Sequence, residues 1–319
     1  MKTIIVVAGP TASGKTKFAI EIAGEFGGEI VSCDSMQLYK HMNIGSAKPT
    51  PEEMAAAPHF LVDEIEPSEA FSVARYQQMA KTAISDIFSR GKTPIIEGGT
   101  GLYLNSILYD MDFSCAPQDL KLRDSLEKEG QTYGGEYLHN KLAALDKEAA
   151  DRIHPNNIKK IIRAIEGALS GNKIVDFSDC TKKTEDYRAV LIGITRNRRE
   201  LYERINERVD IMVDAGLFDE VSHLLSMGLT EDDISMKGIG YKEIIGFFKG
   251  LYSKDEAVDL IKKNTRHLAK RQITWFKRYE DLKWFNISDY TNDEEAIGDM
   301  IKWLKKELKV TTKATNPTT

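Results

Sequence analysis

The sequence is short of three things. It holds only 3 cysteines in 319 residues; Cys33, Cys115 and Cys180 are odd in number, widely spaced and form no CxxC, which argues against a disulfide framework or a zinc site and for a reducing compartment. It has no apolar run long enough to cross a bilayer. The N-terminal MKTIIVVAGP is broken by Gly9-Pro10 long before it could span a membrane or complete a signal peptide, so a cytoplasmic protein with no membrane partner is expected. It also lacks a positive balance: the net charge is −5, which speaks against a uniformly basic nucleic-acid binder.

What remains is 41% hydrophobic and 29% charged, enough for a full core in one elaborated domain or two. The average charge conceals a local stripe. From Leu260 to Tyr279 the chain carries Lys262, Lys263, Arg266, Lys270, Arg271, Lys277 and Arg278 without one acidic residue. Such a stripe attracts a polyanion, or it is simply the solvated face of a helix.

TIIVVAG, GEIVSCD, TPIIEGG and YRAVLIGITR read as strands, and KTKFAIEIAGEF and SVARYQQMAKTAISDIFSRG as helices. Their alternation predicts an α/β fold: a parallel sheet flanked by helices, with ligands at the carboxyl ends of the strands. Strand signals stop near Met111, which predicts a helical insertion over residues 111–150. It divides a catalytic core (1–110) from its continuation with a helical C-terminal region (151–310), and the polar tail 311–319 is expected to be disordered.

GPTASGKT, Gly9 to Thr16, fits G-x-x-x-x-G-K-[ST] between a strand and a helix, as a P-loop requires. In the loop Gly9, Pro10, Thr11, Ala12, Ser13 and Gly14 the glycines would let backbone N–H groups turn toward phosphate oxygens, Lys15 would neutralise the terminal phosphate, and Thr16 would hold Mg2+. This cradle implies a diphosphate or triphosphate without naming the reaction. GTPase use is disfavoured, because GNKIVD places Asp176 one residue late for the guanine signature. An ATP-using kinase stays open, with Glu97 as a magnesium-side carboxylate. Asp34, shortly after the cradle, must bind a metal, take a proton or cap its own turn.

GPTASGKT, DSMQLY, IGSAKP, GGTGLY, IHPNN, GIGYKE and AKRQITWFKR, in order from Gly9 to Arg278, resemble the tRNA dimethylallyltransferases. The resemblance implies a P-loop NTPase-like fold with a helical insertion. It also implies transfer of a dimethylallyl group from dimethylallyl diphosphate to the exocyclic amine of the adenosine 3′ of the anticodon in tRNA, releasing diphosphate. The catalytic set it implies is Asp34 as base, Lys15 and Thr16 in the cradle, and Arg208 on the diphosphate. The base to be modified must be flipped out of its loop. Asp34, Ser35, Met36 and Gln37 match the segment around it, and Thr100 and Arg123 match single tRNA-contact positions. Further RNA contacts are implied at Lys159, Lys160, Ile161, Ile162 and Arg163, at Lys237, Gly238, Ile239, Gly240, Tyr241 and Lys242, and at Lys270, Arg271, Gln272 and Lys277. Trp275 and Phe276 read as core. Rival readings are a prenyltransferase acting on free adenine nucleotides, a P-loop small-metabolite kinase, and an RNA-binding module without activity. A monomer is the default.

Overall fold

The computed structural model describes residues 2–111, 113, 120–170 and 182–314; Cys115, Cys180 and Asp176 lie outside them. Two compact units divide the chain. One comprises residues 1–108 and 184–319, the other Tyr109–Lys183.

The first unit is built on β1 (Thr3–Ala8), α1 (Lys15–Phe26), β2 (Gly28–Ser32), α2 (Pro51–Ala56), β3 (His59–Phe60), α3 (Val73–Ser89), β4 (Thr93–Gly98) and α4 (Gly101–Leu108). All six of its strands pair in parallel in the order β3-β2-β4-β1-β5-β6, where β5 is Arg188–Thr195 and β6 is Lys283–Asn286. The middle strands are almost wholly apolar because helices cover both faces. On one face Phe18 and Ile22 of α1 pack with Ile5, Val7, Ile192 and Ile194. Ala296, Met300 and Leu304 join them from the C-terminal helix (Asp293–Ala314), four residues apart and so on one stripe. On the other face the buried Tyr76 of α3 donates its hydroxyl to the Ser32 carbonyl at 3.0 Å.

The α/β expectation is met, with two strands more than periodicity indicates. β3 spans two residues and β6 four, too few for alternation to register. Residues 311–314, expected to be disordered, continue the last helix; residues 315–319 lie outside the described set.

The second unit holds α5 (Leu120–Tyr133), α6 (Gly135–Leu145), α7 (Lys147–Arg152) and α8 (Ile158–Leu169). Its core unites Leu126, Leu138, Leu142, Ala149, Ala150, Ile161, Ile162, Ala164 and Ile165. Asp146 caps α7 by accepting from the Ala149 N–H at 3.0 Å, and Asn157 caps α8. The unit therefore extends to Lys183, past the expected limit at residue 150. The reason is physical: the apolar stripe of α8 is the floor on which α5 and α6 lie.

After β5 come α9 (Arg198–Asp214), α10 (Leu217–Ser226), α11 (Tyr241–Phe248) and α12 (Lys254–Phe276), with α13 as the C-terminal helix already described. Leu201 and Ile205 of α9, Ala269 of α12 and Ala12 of the P-loop form one small apolar cluster, which seats both helices beside the carboxyl end of β1. No helix among the described residues is long and apolar enough to cross a membrane.

Candidate active site

β1 delivers the chain to the Gly9–Thr16 loop and α1 starts at Lys15. Gly14, just before the helix, has φ 95°, a left-handed conformation that favours glycine, and no side chain caps the first turn. The orphan N–H groups of α1 are thereby left for an anion. Ala12 also has positive φ, 62°, which costs of order ~1–3 kcal/mol for a residue with a Cβ. Surrounding groups hold it there. Arg204 Nε donates to the Ala12 carbonyl at 3.1 Å, Arg196 Nε to the Ser13 carbonyl at 3.2 Å, and Arg208 Nη1 to Thr11 Oγ1 at 3.5 Å.

The loop faces a cavity of about 440 Å3 lined by Thr11, Ala12, Gly14, Lys15 and Thr16 on one side and by Asp34, Gln37, Lys48, Glu97, Arg208 and Gln272 among others. Lys15 Nζ donates to the Pro10 carbonyl at 3.0 Å. Desolvation lowers its pKa, while the carboxyl groups of Glu97 and Asp34 oppose the shift. Arg208 shows the same balance, with loss of hydration first and Asp34 and Glu97 against it. Glu97, next to last in β4, pairs with Val7 in the sheet. It is buried, and its carboxyl has no hydrogen-bond or ion-pair partner among the described residues; burial pushes its pKa up to about 7, with Lys15 pulling it down. Two under-hydrated cations therefore face a pocket whose own acids compensate them incompletely. A bound diphosphate would supply the missing negative charge.

Asp34 stands just beyond β2. Its Oδ1 accepts from the Met36 N–H at 2.8 Å, closing an Asx turn, and its second oxygen has no partner among the described residues. Asp34 thus caps its own turn with one oxygen while lining the cavity. Gln37 is 7% exposed; it accepts from Ser32 Oγ at 2.8 Å and donates Nε2 to the Ala47 carbonyl at 3.3 Å. One amide proton and one oxygen lone pair remain for a ligand.

The donor set fits magnesium. The Thr16 hydroxyl and the Glu97 carboxyl are hard oxygen groups on the same cavity, without protein partners among the described residues. Among the described residues no cluster of three His, Cys, Asp or Glu forms a metal cage, consistent with an ion that takes one or two protein oxygens and completes its shell with phosphate and water.

A family model described as IPP transferase matches residues 37–279. The chain belongs to that family. The tRNA dimethylallyltransferase of Alkaliphilus oremlandii is 49% identical over 305 residues, 95% of this chain and 97% of the relative; that of Clostridioides difficile is 49% identical over 306 residues, 96% and 98%. Among solved structures, the tRNA isopentenylpyrophosphate transferase of Bacillus halodurans superposes with a TM-score of 0.74 at 39% identity, covering 98% of both chains. A eukaryotic dimethylallyltransferase caught acting on tRNA gives 0.81 at 26% identity, covering 96% of this chain and 80% of that one.

In this chain the residues matched to tRNA contact fall into three kinds. The first is exposed charge: Lys159, Lys160 and Arg163 on α8, Lys237 and Lys242 around the start of α11, and Lys270, Arg271 and Lys277 along α12. The second is cleft backbone and turn: Asp34, Ser35, Met36 and Gln37, with Thr100 beside them. Gly238 belongs here, since a Cβ on it would stand 2.6 Å from Met36 Cε; half-buried Ile239 and buried Gly240 follow it.

The third kind is committed elsewhere. Ile161 and Ile162 are 0% and 4% exposed in the core of the second unit, a packing that turns their lysine neighbours outward. Tyr241 is buried with its hydroxyl on Glu220 at 2.8 Å. Arg123 makes two hydrogen bonds, at 2.9 and 2.6 Å, to the buried Glu166. Gln272 bridges two loops of the cleft. Phe276 is buried, and Trp275 lies against Gly101, where a Cβ would stand 2.2 Å from its ring.

Sequence reasoning missed Lys48, Arg204 and Glu220. The Lys48 ammonium is held by the Tyr39 carbonyl at 2.6 Å, Asn43 Oδ1 at 2.8 Å and Asp63, and the lysine inside IGSAKP was the signal. Glu220 accepts from the N–H groups of Asn43, Ile44 and Gly45 at 2.8, 2.7 and 3.0 Å. Nothing in the local sequence of α10 marks that role, because its partners lie far away in the chain.

Proposed function

We propose that this chain transfers a dimethylallyl group from dimethylallyl diphosphate to the exocyclic amine of the adenosine 3′ of the anticodon in tRNA. The observation that carries the reading is that an anion cradle and a half-free carboxylate share one cavity: the Gly9–Thr16 loop and Asp34 line the same space. Family membership supplies the acceptor and donor.

In the reaction the bond between the allylic carbon and the diphosphate oxygen breaks and a bond from adenine N6 to that carbon forms. The departing oxygen gains negative charge, which Lys15, Arg208 and the N–H groups opening α1 stabilise because they are in place before it develops. The adenine amine is a poor nucleophile whose proton becomes acidic as the C–N bond forms; the free oxygen of Asp34 accepts it, an effect worth ~10²–10⁴-fold. Thr16, with Glu97 beside the cavity, would hold Mg2+, which when bound would neutralise diphosphate charge. Gln37 offers its remaining N–H and lone pair to the base edge, the pairing by which an amide reads adenine. The exposed lysines and arginines of α8, α11 and α12 serve the RNA backbone. The working unit is a monomer in the cytoplasm.

Incubation with prenyl-labelled dimethylallyl diphosphate, Mg2+ and either unmodified tRNA or free adenine nucleotide tests the proposal. Label in tRNA is expected. Label in nucleotide alone, phosphate transfer from ATP, or tRNA binding without either activity would each replace it by a different reading.

A further inference from the structure

Gln272 lies in the basic stripe, between Arg271 and Ile273, but its amide does not face solvent. Its Oε1 accepts from the Thr11 N–H of the P-loop at 2.9 Å, and its Nε2 donates to the Gly99 carbonyl at 3.0 Å. The second contact is close: a Cβ on residue 99 would stand 2.4 Å from Nε2 and push the amide aside. Gly99 precedes Thr100, whose N–H donates to the Cys33 carbonyl at 3.1 Å and whose Oγ1 accepts from the Ser35 N–H at 3.1 Å. Asp34 is held between those two residues. One side-chain amide therefore joins the strand-to-helix turn that cradles the leaving group to the turn that grips the base.

We propose that Gln272 is a positioning residue for the transfer, setting the distance between the diphosphate cradle and the Asp34 loop, and is not a contact to RNA. The inference rests on the prenyl-transfer reading. In a displacement the donor carbon, the adenine amine and the proton acceptor must lie within van der Waals and hydrogen-bond reach at once, and a misplacement of about 1 Å costs ~10²-fold. Thr11 and Gly99 belong to separate turns after β1 and β4. The parallel ladder fixes these strands only as far as Ala8 and Gly98. Beyond it the Gln272 amide spans the two turns directly, using both halves of its polarity, acceptor toward Thr11 and donor toward Gly99. Because α12 also carries Lys270 and Arg271, exposed just before it, the same turn of helix that would meet the RNA backbone also holds the cleft together.

The test uses the full-length enzyme with tRNA transcript and dimethylallyl diphosphate, comparing wild type with Gln272→Met, which keeps length without polarity, and Gln272→Glu. In Gln272→Met, kcat is expected to fall at least about tenfold, with the KM for each substrate within about threefold of wild type. In Gln272→Glu the carboxylate keeps the acceptor for Thr11 but loses the donor to Gly99, so kcat falls as for Met at about pH 8. The protonated acid restores the donor, so kcat relative to wild type recovers as pH is lowered toward the ordinary glutamic value of about 4.3. The comparison with wild type at each pH removes what is common to both proteins, the charged groups around the cavity: Lys15, Lys17, Asp34, Lys48, Glu53, Glu97, Arg204, Glu207 and Arg208.

Recovery specific to the Glu variant is a readout that simple destabilisation would not move, and a thermal melt of each variant checks folding. A raised KM for tRNA with kcat retained would assign Gln272 to RNA contact. Unchanged kcat in both variants, or a Glu variant without recovery, would overturn the bridge. A wild-type enzyme that transfers no label would instead remove the parent reading, and this inference with it.

Discussion

The Thr100 hydroxyl accepts from the Ser35 N–H at 3.1 Å and donates to the Ser35 hydroxyl at 3.4 Å. With the Thr100 N–H on the Cys33 carbonyl at 3.1 Å, the residue grips the chain on both sides of Asp34. Thr100 also opens α4, its carbonyl accepting from the Leu104 N–H at 3.0 Å. A residue matched to tRNA contact is in this fold a clasp on the base-bearing turn. Thr100→Val, which keeps shape and loses the hydroxyl, is expected to lower kcat about tenfold and stability by about 1 kcal/mol, while Thr100→Ser stays near wild type. Steady-state kinetics and denaturant melts check this; a Val variant with normal kcat would show the clasp to be dispensable.

Glu97 makes a prediction in pH. Its value of about 7 in the folded chain lies above the ordinary 4.5, so between those limits the native protein binds a proton that the unfolded chain has lost. The associated stability is present in full below the ordinary value and is lost as pH rises through about 7, a change of about 3 kcal/mol at most. In the presence of a chelator, the Tm of the wild type is therefore expected to fall between about pH 5 and pH 8 by several degrees more than that of Glu97→Gln. Thermal melts across the range decide it, and parallel curves for the two proteins would contradict the assignment.

The basic face of α12 makes a prediction in salt. Lys270 and Arg271 are exposed and have no acidic partner among the described residues. Changing both to Ala is expected to weaken binding of tRNA and to reduce the slope of log affinity against log salt by about one for each lost phosphate contact. Filter binding at several salt concentrations measures it. A weaker affinity with an unchanged slope would mean that these side chains do not meet phosphate.

How much of this was legible in the sequence depends on the range of the interactions involved. The Gly9–Thr16 cradle is a local object, and its spacing alone specifies strand, turn and helix. The sheet order was open to inference only as a class, because β3 and β6 are too short to show a period. The apolar stripe of α8 packs on α5 and α6, which are separated from it in sequence, so the limit of the second unit was not visible there. The same separation hid the bridge made by Gln272, 261 residues from Thr11. The resemblance implies an RNA contact at Gln272, and only the fold shows which way its amide points.

Asp34 is where the account is tested most directly. Asp34→Asn keeps an oxygen for the Met36 N–H, so the turn survives and only the proton acceptor is lost. In a single-turnover experiment with saturating enzyme, labelled dimethylallyl diphosphate and tRNA, the Asn variant is expected to bind both substrates as the wild type does and to transfer the prenyl group ~10²–10⁴-fold more slowly. Transfer at the wild-type rate, with binding unchanged, would contradict the claim that this carboxylate takes the proton.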